Sequence, residues 1–562
     1  MNAELLLAHF NRISAAPDAV VRLRLFVLDL AVRGKLVEPD SCDVPWNPVN
    51  RLPPHRLPRK DSRDARRPLN ELNSRDESQP FSIPHSWKWG LLGSLVEKLT
   101  DGEHLSPTKT NSGMPLLTAT HVTARGLTLE NPQFVSEEDG FRSRKRCDPV
   151  RGDILICSRG TIGRCAVVDT DEVFCLMGSV ILLRFPKEFS AKYFNYYLST
   201  SLAQMQMRGM SGSTAVSALY LRDIRGCVVP VPPVAEQHRI VAKVDELMAL
   251  CDGLEAAQRE QQTRRDQLTA STHHHLNNGG DAHELRNHAQ FLIGHLPRLT
   301  TRPDQIKQLR QTILNLAVRG KLLAQNPRDE SVLELLMRVR REKMELIKEG
   351  RIRASVELAP IANECAPFQI PSGWKWANFI DIAVIQSNLV NPSNFADSPH
   401  IAPDNIESGT GKLLPYASIR ESKVFSSKHQ FFAGCILYSK IRPALAKSVV
   451  VDFDGLCSAD MYPIMPLINR GYLHKYMLSE AFVQQSVSED NRVAMPKINQ
   501  ESLSKIAVPV PPLPEQYRIV AKVDELMALC DQLEASLATA QTETSRLLES
   551  VLHHALQDSS LA

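Results

Sequence analysis

The sequence predicts an α+β protein in which two α/β domains are separated by two long antiparallel coiled-coil helices, arranged as a pseudo-twofold internal repeat. A 28-residue block occurs at 229–256 and again at 508–535, identical at 24 of 28 positions, which marks an internal duplication. A second block repeats as FVLDLAVRGKL at 26–36 and TILNLAVRGKL at 312–322. The segments between the repeated blocks are unlike each other, so one scaffold holds two different domains.

The first half of the chain divides into four segments. Residues 1–42 carry apolar side chains at helical spacing, and Gly34 is placed to end that helix. Residues 43–80 are rich in Pro and Arg without any period, which predicts a flexible linker, with a phosphate-binding arm as the alternative. Residues 81–235 hold short β-branched runs between turn residues, as α/β domains do. Residues 236–286 form the first long helix.

The second half repeats this order with one difference. Residues 287–366 repeat the N-terminal helical segment and its linker, but a strongly charged helix is predicted within them at 330–353. The first half has the Pro- and Arg-rich stretch in its place. Residues 367–514 form the second α/β domain, and residues 515–562 form the second long helix.

Both long helices carry a heptad seam, meaning apolar residues spaced alternately by four and three, which is typical of a helix that lies along a partner helix. A helix of about 40 residues is about 60 Å long, so the two seams are predicted to pack against each other and to act as scaffold and spacer. The seam residues are Ile240, Val244, Leu247, Cys251 and Leu254 in the first helix, and Ile519, Val523, Leu526, Cys530 and Leu533 in the second.

Composition excludes several classes of protein. The net charge of +3 neither requires nor excludes nucleic acid, and no apolar run approaches the ~20 residues of a membrane span. The eleven cysteines are scattered without a CxxC pair, which favours packing roles and a cytoplasmic location. The tract His273-His274-His275 has the composition of a metal site, but histidines recur near the end of the second long helix. We therefore interpret the tract as a structural feature and predict no metal site.

The motifs of catalysis are missing from the sequence. There is no GxxxxGK[ST] loop for nucleotide phosphates, no Gly-rich S-adenosylmethionine fingerprint and no HExxH metal motif. The target-base motif of DNA amino-methyltransferases, Asn/Asp-Pro-Pro-Tyr/Phe, is also absent. No catalytic residues are therefore predicted, and the chain is expected not to be an enzyme.

These residues resemble a known family, the specificity subunits of type I restriction–modification enzymes. The resemblance spans nearly the whole chain, and the duplicated block is its most specific part. It rests on LAVRGKL, on IPxxWxW at 83–89 and 370–376, on the PPxxEQ-x-RIVAKVDELMALCD block, on MPKINQ at 495–500, on GTIG at 160–163 and on CSADMYPI at 457–464.

The resemblance implies that each α/β domain is a target recognition domain that reads one half of a split, asymmetric site on double-stranded DNA. It further implies that the repeated helices carry two modification (methyltransferase) subunits, joined by restriction (translocase and nuclease) subunits. S-adenosylmethionine, ATP and Mg²⁺ would then be bound by those partners and not by this chain. The missing charged helix is a departure that leaves open whether the two halves make equivalent contacts.

Polar and basic residues in two loops of each α/β domain are the candidates for DNA contacts, because groove edges are read by a few such side chains. Each basic residue has phosphate or solvent as its alternative partner. The candidates are Arg159, Thr161, Arg164, Ser211, Ser213 and Thr214 in the first domain, and Lys440, Arg442, Lys447, Asn491, Arg492 and Lys497 in the second.

Trp87, Trp89, Trp374 and Trp376 recur in both halves, so they are predicted to pack where each domain begins and not to stack on bases. The alternative function is that of a tandem coiled-coil adapter that binds proteins through its seams and does not touch DNA, which the near-neutral charge permits.

Overall fold

The structure is a computed structural model of the chain, and it describes residues 16, 18–46, 80–104, 107–209, 218–278, 282–354, 356–362, 366–488 and 496–557. The chain forms two compact units: residues 1–261 with 541–562, and residues 262–540. Among the described helices, none is long and apolar enough to cross a membrane. Most of the predicted linker at 43–80 lies outside the described residues.

The first unit contains one short helix, one α/β domain and the beginning of a long helix. Its elements in chain order are α1 (Ala19–Val32), β1 (Lys88–Leu91), α2 (Leu92–Leu95), β2 (Lys98–Asp101), β3 (Lys109–Thr110), β4 (Met114–Leu117), β5 (Val122–Thr123), β6 (Gly126–Leu127), β7 (Gln133–Val135), α3 (Glu137–Arg144), β8 (Ile154–Cys157), β9 (Cys165–Val167), β10 (Cys175–Leu176), β11 (Val180–Arg184), α4 (Ala191–Ser199), α5 (Ser201–Gly209), α6 (Leu221–Arg225), β12 (Val228–Val231) and α7 (Val234–Asn278).

The second unit repeats this order. Its elements are α8 (Ala282–Leu299), α9 (Pro303–Val318), α10 (Val332–Lys348), β13 (Lys375–Asn378), α11 (Phe379–Ile382), β14 (Ala383–Ile385), β15 (Leu389–Val390), β16 (Pro399–Ile401), β17 (Ala417–Ser418), α12 (Ile419–Ser422), β18 (Lys428–Phe431), β19 (Ile436–Ser439), β20 (Ser448–Val450), β21 (Gly455–Cys457), β22 (Met461–Pro466), α13 (Arg470–Leu478), α14 (Glu480–Ser488), α15 (Gln500–Ser504), β23 (Ala507–Val510) and α16 (Leu513–Gln557). Three 3-10 turns lie at 392–395, 403–405 and 443–445. The predicted α+β class with two mixed domains is confirmed.

The two domains share one sheet and differ in another. In the first domain a four-stranded antiparallel sheet has the order β2-β11-β8-β9, and in the second the order is β14-β22-β19-β20. The remaining large sheet has four strands, β10-β4-β7-β3, in the first domain and five, β15-β18-β21-β16-β17, in the second. The second large sheet therefore differs between the two domains in the number and order of its strands.

Each domain is joined to its long helix by a two-stranded ribbon, β1 with β12 and β13 with β23. Tyr193 and Tyr472 are fully buried and donate hydrogen bonds to the main-chain carbonyls of Pro230 and Pro509, at 2.8 and 2.6 Å. A buried hydroxyl must find such a partner, so this contact fixes the helix that precedes the ribbon. Sequence inspection missed these tyrosines, although the Tyr-x-x-x-Tyr spacing of 193–197 recurs at 472–476.

The tryptophans pack as predicted, at the point where each domain begins. Trp87 and Trp374 are buried, and the Trp374 indole donates hydrogen bonds of 3.1 Å to both Glu515 and Gln325. Trp89 and Trp376 meet the edges of Phe81 and Phe368 at ring-centroid distances of 5.1 and 4.9 Å. The repeated IPxxWxW motif is therefore a packing motif.

The repeated glycines end the short helices of the two units. Gly34 and Gly320 have φ of 67° and 68°, and a Cβ on either would lie within 2.4 Å of the ring of Pro84 or Pro371. Only glycine accepts both the left-handed backbone and that close approach. This explains why the LAVRGKL block and the IPxxWxW block recur together.

The seam residues of each long helix pack within their own unit, and the predicted packing of one long helix on the other stays a prediction. Ile240 and Val244 belong to a core shared by α1 and the first domain, with Leu247 packed against it. The corresponding core of the second unit contains Ile519, Val523 and Cys530, with Leu526 and Leu533 packed against it. The heptad spacing therefore reports a helix that packs on its own domain and on a short helix, because those partners also present one apolar stripe.

Each long helix begins in one unit and ends in the other: α7 from the first to the second, and α16 from the second to the first. Near the end of α7 the imidazole of His273 is buried against the Thr312 hydroxyl, 2.9 Å from its Nδ1. Burial lowers the pKa of His273. Among the described residues no group of three or more His, Cys, Asp or Glu side chains could hold a metal ion.

Candidate nucleic-acid interface

The candidate residues lie in equivalent loops of the two domains, directly after the central strands β8 and β19. The first residue of each loop is fixed to the chain segment that precedes the last short helix. The Leu219 amide donates to the Ser158 carbonyl and the Ile498 amide to the Lys440 carbonyl, both at 2.9 Å. We call these segments the first reading loop (158–164) and the second reading loop (440–447).

The two reading loops share their unusual backbone but not their side chains. Gly160 and Gly163 have φ of 74° and 82°, and the equivalent Arg442 and Ala446 have φ of 49° and 45°. A side chain in this left-handed conformation costs about 1 kcal/mol that glycine does not. The second reading loop therefore carries an arginine at a position where the backbone itself favours glycine.

Three candidates of the first reading loop fall into two groups. Arg159 and Thr161 are exposed, and the Arg159 side chain has no partner among the described residues. Arg164 is half-buried and donates to the Ala119 carbonyl at 3.0 Å. Burial raises the pKa of the neighbouring Cys157 thiol, although the nearby Arg164 guanidinium acts to lower it. Arg164 is thus held within the domain, while Arg159 and Thr161 face solvent.

Most lysine candidates of the second domain are engaged inside it. The Lys440 ammonium donates to the Ala459 carbonyl at 2.6 Å and lies 5.4 Å from the centre of the Tyr462 ring. Lys497 is 3.2 Å from the carboxylate of Asp460, and Lys440 is 4.0 Å from the same oxygen. These contacts occupy ammonium N–H groups that could otherwise donate hydrogen bonds to DNA.

The Lys447 side chain is held by contacts within the domain, whereas the Arg442 side chain is not. The Lys447 ammonium donates to the Pro403 carbonyl at 2.7 Å, and its side chain is only 16% exposed. Arg442 is exposed, and its side chain has no hydrogen-bond or ion-pair partner within the described part of the chain. Its own amide is fixed by the Pro496 carbonyl at 2.8 Å. Among the described candidate cations, Arg442 and Arg159 are therefore the two best placed to meet a ligand.

Five candidates for DNA contact remain. Ser211, Ser213 and Thr214 fall within 210–217, and Asn491 and Arg492 fall within 489–495; both stretches lie outside the described residues. Each stretch is followed in the chain by the segment whose amide, that of Leu219 or Ile498, is hydrogen-bonded to a reading loop. Their role in DNA contact stays a prediction.

Sequence inspection missed an exposed aromatic in the second domain. Phe425 is 85% exposed, the highest value among the large apolar side chains of the described residues. It lies two residues after the exposed Lys423, which adopts φ of 50°, whereas Lys428 is buried and donates to the Ser426 carbonyl at 2.8 Å. The signal was the sequence KVFSSK, in which lysines flank an aromatic. Exposed aromatics beside cations suit base stacking or insertion between base steps.

Comparisons with known proteins point to one family. The family described as "Type I restriction modification DNA specificity domain" matches residues 86–264 and 371–540. The type I restriction enzyme EcoDI specificity subunit of Escherichia coli is 36% identical over 260 residues, 46% of this chain and only 55% of that protein. The EcoAI specificity subunit of the same organism is 26% identical over 569 residues, 96% of this chain and 94% of that protein.

The fold also has a solved relative. A chain from the structure described as the "structural basis underlying complex assembly and conformational transition of the type I R-M system" superposes with a TM-score of 0.50 at 17% identity. The match covers 85% of this chain and 99% of that chain. At this identity the likeness concerns the fold alone.

Proposed function

This chain belongs to the family of type I restriction modification DNA specificity domains, and from that premise we propose that it reads a bipartite, asymmetric site on double-stranded DNA. Its role is that of a specificity subunit, which recognises DNA and leaves catalysis to other subunits. The observation that carries the proposal is the pair of reading loops: one backbone, repeated, with different side chains. Two domains that carry different side chains in these loops are expected to recognise two half-sites of different sequence.

The first test exchanges one reader. We expect that replacing residues 81–228 by the equivalent domain of a related subunit changes one half-site of the methylated sequence and leaves the other unchanged. Methylome sequencing of a host carrying the reconstituted system measures this directly. A change in both half-sites, or a palindromic site in the unmodified system, would show that each domain does not read its own half. The adapter alternative, in turn, requires that no sequence-dependent binding be found.

The second test concerns single residues of the second reading loop. Arg442→Ala is expected to weaken binding roughly ten- to a hundredfold and to relax the half-site that the second domain reads, because arginine supplies both groove-edge and phosphate contacts. Lys447→Ala is the matched control, since that ammonium is engaged by Pro403. Fluorescence anisotropy with labelled duplexes gives the affinities. Equal effects of the two substitutions would contradict the assignment.

We propose two modification subunits per chain, together with restriction subunits. The two long helices present the same exposed leucine at equivalent positions: Leu250 is 64% exposed and Leu529 is 52% exposed. Both leucines lie in the block that is identical at 24 of 28 positions, so the two helices offer nearly the same exposed side chains to two copies of one partner. Native mass spectrometry of Leu250→Asp, Leu529→Asp and the double variant should find one, one and no modification subunit bound. A single modification subunit on the unmodified chain at saturation would refute the stoichiometry.

The cofactors of the assembly belong to the partners in this proposal. S-adenosylmethionine would be bound by the modification subunits, and ATP and Mg²⁺ by the restriction subunits, in the cytoplasm. The purified chain should then show no methylation, ATP hydrolysis or DNA cleavage. Activity that persists through purification and disappears on a point substitution in this chain would overturn this division of labour.

A further inference from the structure

Two helix junctions use equivalent positions with opposite chemistry. In the first unit α1 packs against the last turns of α16 (541–557), and in the second unit α9 packs against the last turns of α7 (262–278). The buried positions on the two helix tails coincide when residue numbers are shifted by 279, the spacing of the repeated block. They are Thr269, Thr272, His273 and Leu276 on α7, and Leu548, Val551, Leu552 and Ala555 on α16.

The first junction is apolar. Its buried side chains form one cluster without a hydrogen-bonding group, so the contact depends on shape and on apolar area removed from water. The members on the short-helix side are Ala16, Ala19, Phe26 and Leu30, and those on the tail are Leu548, Val551, Leu552 and Ala555.

The second junction is polar at the same positions. Thr312, which stands where α1 has Phe26, meets the buried imidazole of His273 at 2.9 Å. Asp266 accepts two hydrogen bonds from the Arg302 guanidinium at 3.0 and 3.2 Å and one from Gln305 at 3.0 Å. The α16 tail has Ser545 at the position of Asp266.

The main-chain contacts of the two tails are the same in kind, and the exposed ion pair of Arg22 with Glu549, present only in the first junction, contributes little. Lys35 donates to the Leu556 carbonyl, and Arg319 donates to the equivalent Asn277 carbonyl at 2.7 Å. Both are cations of the LAVRGKL block placed on the C-terminal part of a helix, where the dipole favours them. Any discrimination between the two tails must therefore come from the buried positions.

A mispaired tail would leave polar groups buried without partners. His273 placed against Phe26 would lose its hydroxyl partner, and Asp266 placed against Ala16 would lose the Arg302 guanidinium. An apolar tail on α9 would leave the buried Thr312 hydroxyl without its imidazole partner, and Arg302, which is 38% exposed, would keep only its contact with Asp304. Unpaired buried polar groups cost more than the hydrogen bonds themselves contribute.

We propose that the apolar and polar junctions are a complementary pair of docking faces that assigns each long-helix tail to one short helix. The chain needs such a device because its duplicated halves offer two nearly identical docking places for each tail. The opposed chemistry excludes the exchanged pairing, both within one chain and between two copies of it. This inference does not depend on DNA recognition.

The test is a tail exchange in the full-length chain that conserves composition. The α7 tail receives the α16 residues through D266S, T269L, T272V and H273L, and the α16 tail receives the α7 residues through S545D, L548T, V551T and L552H. Both junctions are then mismatched although no residue type has been added or lost. We expect the melting temperature to fall by roughly 10 °C, since the His273–Thr312 bond is lost in the second unit and polar side chains are buried against apolar ones in the first.

The matched control restores complementarity in the opposite units. Adding A16R, A19Q and F26T to α1, and R302A, Q305A and T312F to α9, pairs each exchanged tail with its own kind of face. A cavity of about 450 Å³ adjoins Thr312 and His273, which leaves room for a larger side chain there. The melting temperature should recover at least half of the loss. A tail exchange without loss, or a control without recovery, would overturn the proposal.

A smaller variant tests selectivity apart from stability. T312F with H273L makes the second junction apolar like the first, so the chain keeps its stability but no longer distinguishes the tails. After denaturation and refolding at equal protein concentration, light scattering should find at least twice the fraction of dimers and larger species formed by the unmodified chain. An unchanged fraction would count against selection by polarity.

Discussion

The two α/β domains hold the same main-chain frame and fill it with different side chains. Tyr197 and Tyr476 both donate to a ribbon carbonyl, that of Val228 and that of Ala507. Two residues before each of these tyrosines the side chains differ: Asn195 in the first domain and the fully buried His474 in the second. The bonds that tie this helix to its ribbon are repeated, whereas another buried position of the same helix varies in side chain and in hydrogen bonding. A duplicated scaffold can therefore carry two specificities.

The largest expected loss of stability comes from truncating a buried tryptophan that recurs in both halves. Trp374→Ala should cost about 3–5 kcal/mol, as deletion of a buried aromatic does, and Trp87→Ala should cost somewhat less. The difference arises because Trp374 also donates to the buried Glu515 carboxylate. Hydrogen exchange resolved by unit is the measurement, and protection should be lost in the unit that carries the substitution. Equal loss in both units would contradict separate frames.

His474 gives the second domain an acid-sensitive group at a position where the first domain has Asn195. Burial lowers its pKa to about 4, while the Ser448 carbonyl accepts from its Nε2 at 3.1 Å. The unfolded chain takes up this proton first, so the contribution is present above about pH 6.5 and is lost as the pH falls towards 4. At pH 5 the loss is about 2 kcal/mol.

His474→Asn, the residue of the first domain, should abolish this acid sensitivity, and Asn195→His should create it in the first domain. Melting temperatures of both variants between pH 4.5 and 7.5 provide the comparison. If the pH dependence of the second unit survives His474→Asn, another group must be responsible.

The next largest expected effect on stability concerns the buried glutamates at the start of the long helices. Burial raises the pKa of both Glu236 and Glu515. Glu515 accepts a hydrogen bond of 3.1 Å from the Trp374 indole, whereas neither oxygen of Glu236 has a hydrogen bond of good geometry among the described residues, although the Trp87 indole is nearby. A raised carboxyl pKa means that stability falls as the pH rises from the unfolded value to the folded one. Glu236→Gln should therefore stabilise by about 1 kcal/mol at pH 7 and by nothing at pH 4.

Glu515→Gln is the control for that prediction. It should gain less at pH 7, because the substitution also weakens the bond that the carboxylate accepts from Trp374. Thermal unfolding followed at both pH values decides the order. A larger gain from Glu515→Gln would mean that the indole does not compensate the buried charge.

The smallest effects lie in the left-handed positions of the reading loops. Ala446→Gly should stabilise the second domain by about 1 kcal/mol, because glycine adopts its φ of 45° without strain. Gly163→Ala should destabilise the first domain by more than that, since its Cβ would lie 2.7 Å from the Gln204 amide oxygen. Thermal unfolding measures both. Opposite signs would show that the two loops do not share a backbone.

The candidate site was only partly predictable. The sequence places Lys440, Arg442 and Lys447 in one loop, and any of the three could face DNA. The structure separates them, because Lys447 and Lys440 donate to main-chain carbonyls of residues distant in sequence and Arg442 does not. Whether a lysine is engaged depends on which carbonyl the fold brings within 3 Å, and spacing along the chain carries no such information.

The sequence by itself determined the duplication, the two unlike domains, the long helices and the packing role of the paired tryptophans, because each leaves a periodic or repeated pattern. Only the tertiary structure decided that the seams pack on their own domains, and that α1 takes the tail of α16 while α9 takes the tail of α7. The physical reason is that a repeat makes two pairings look alike. The choice between them depends on a few buried side chains, apolar in one junction and hydrogen-bonded in the other, that meet only after the chain has folded.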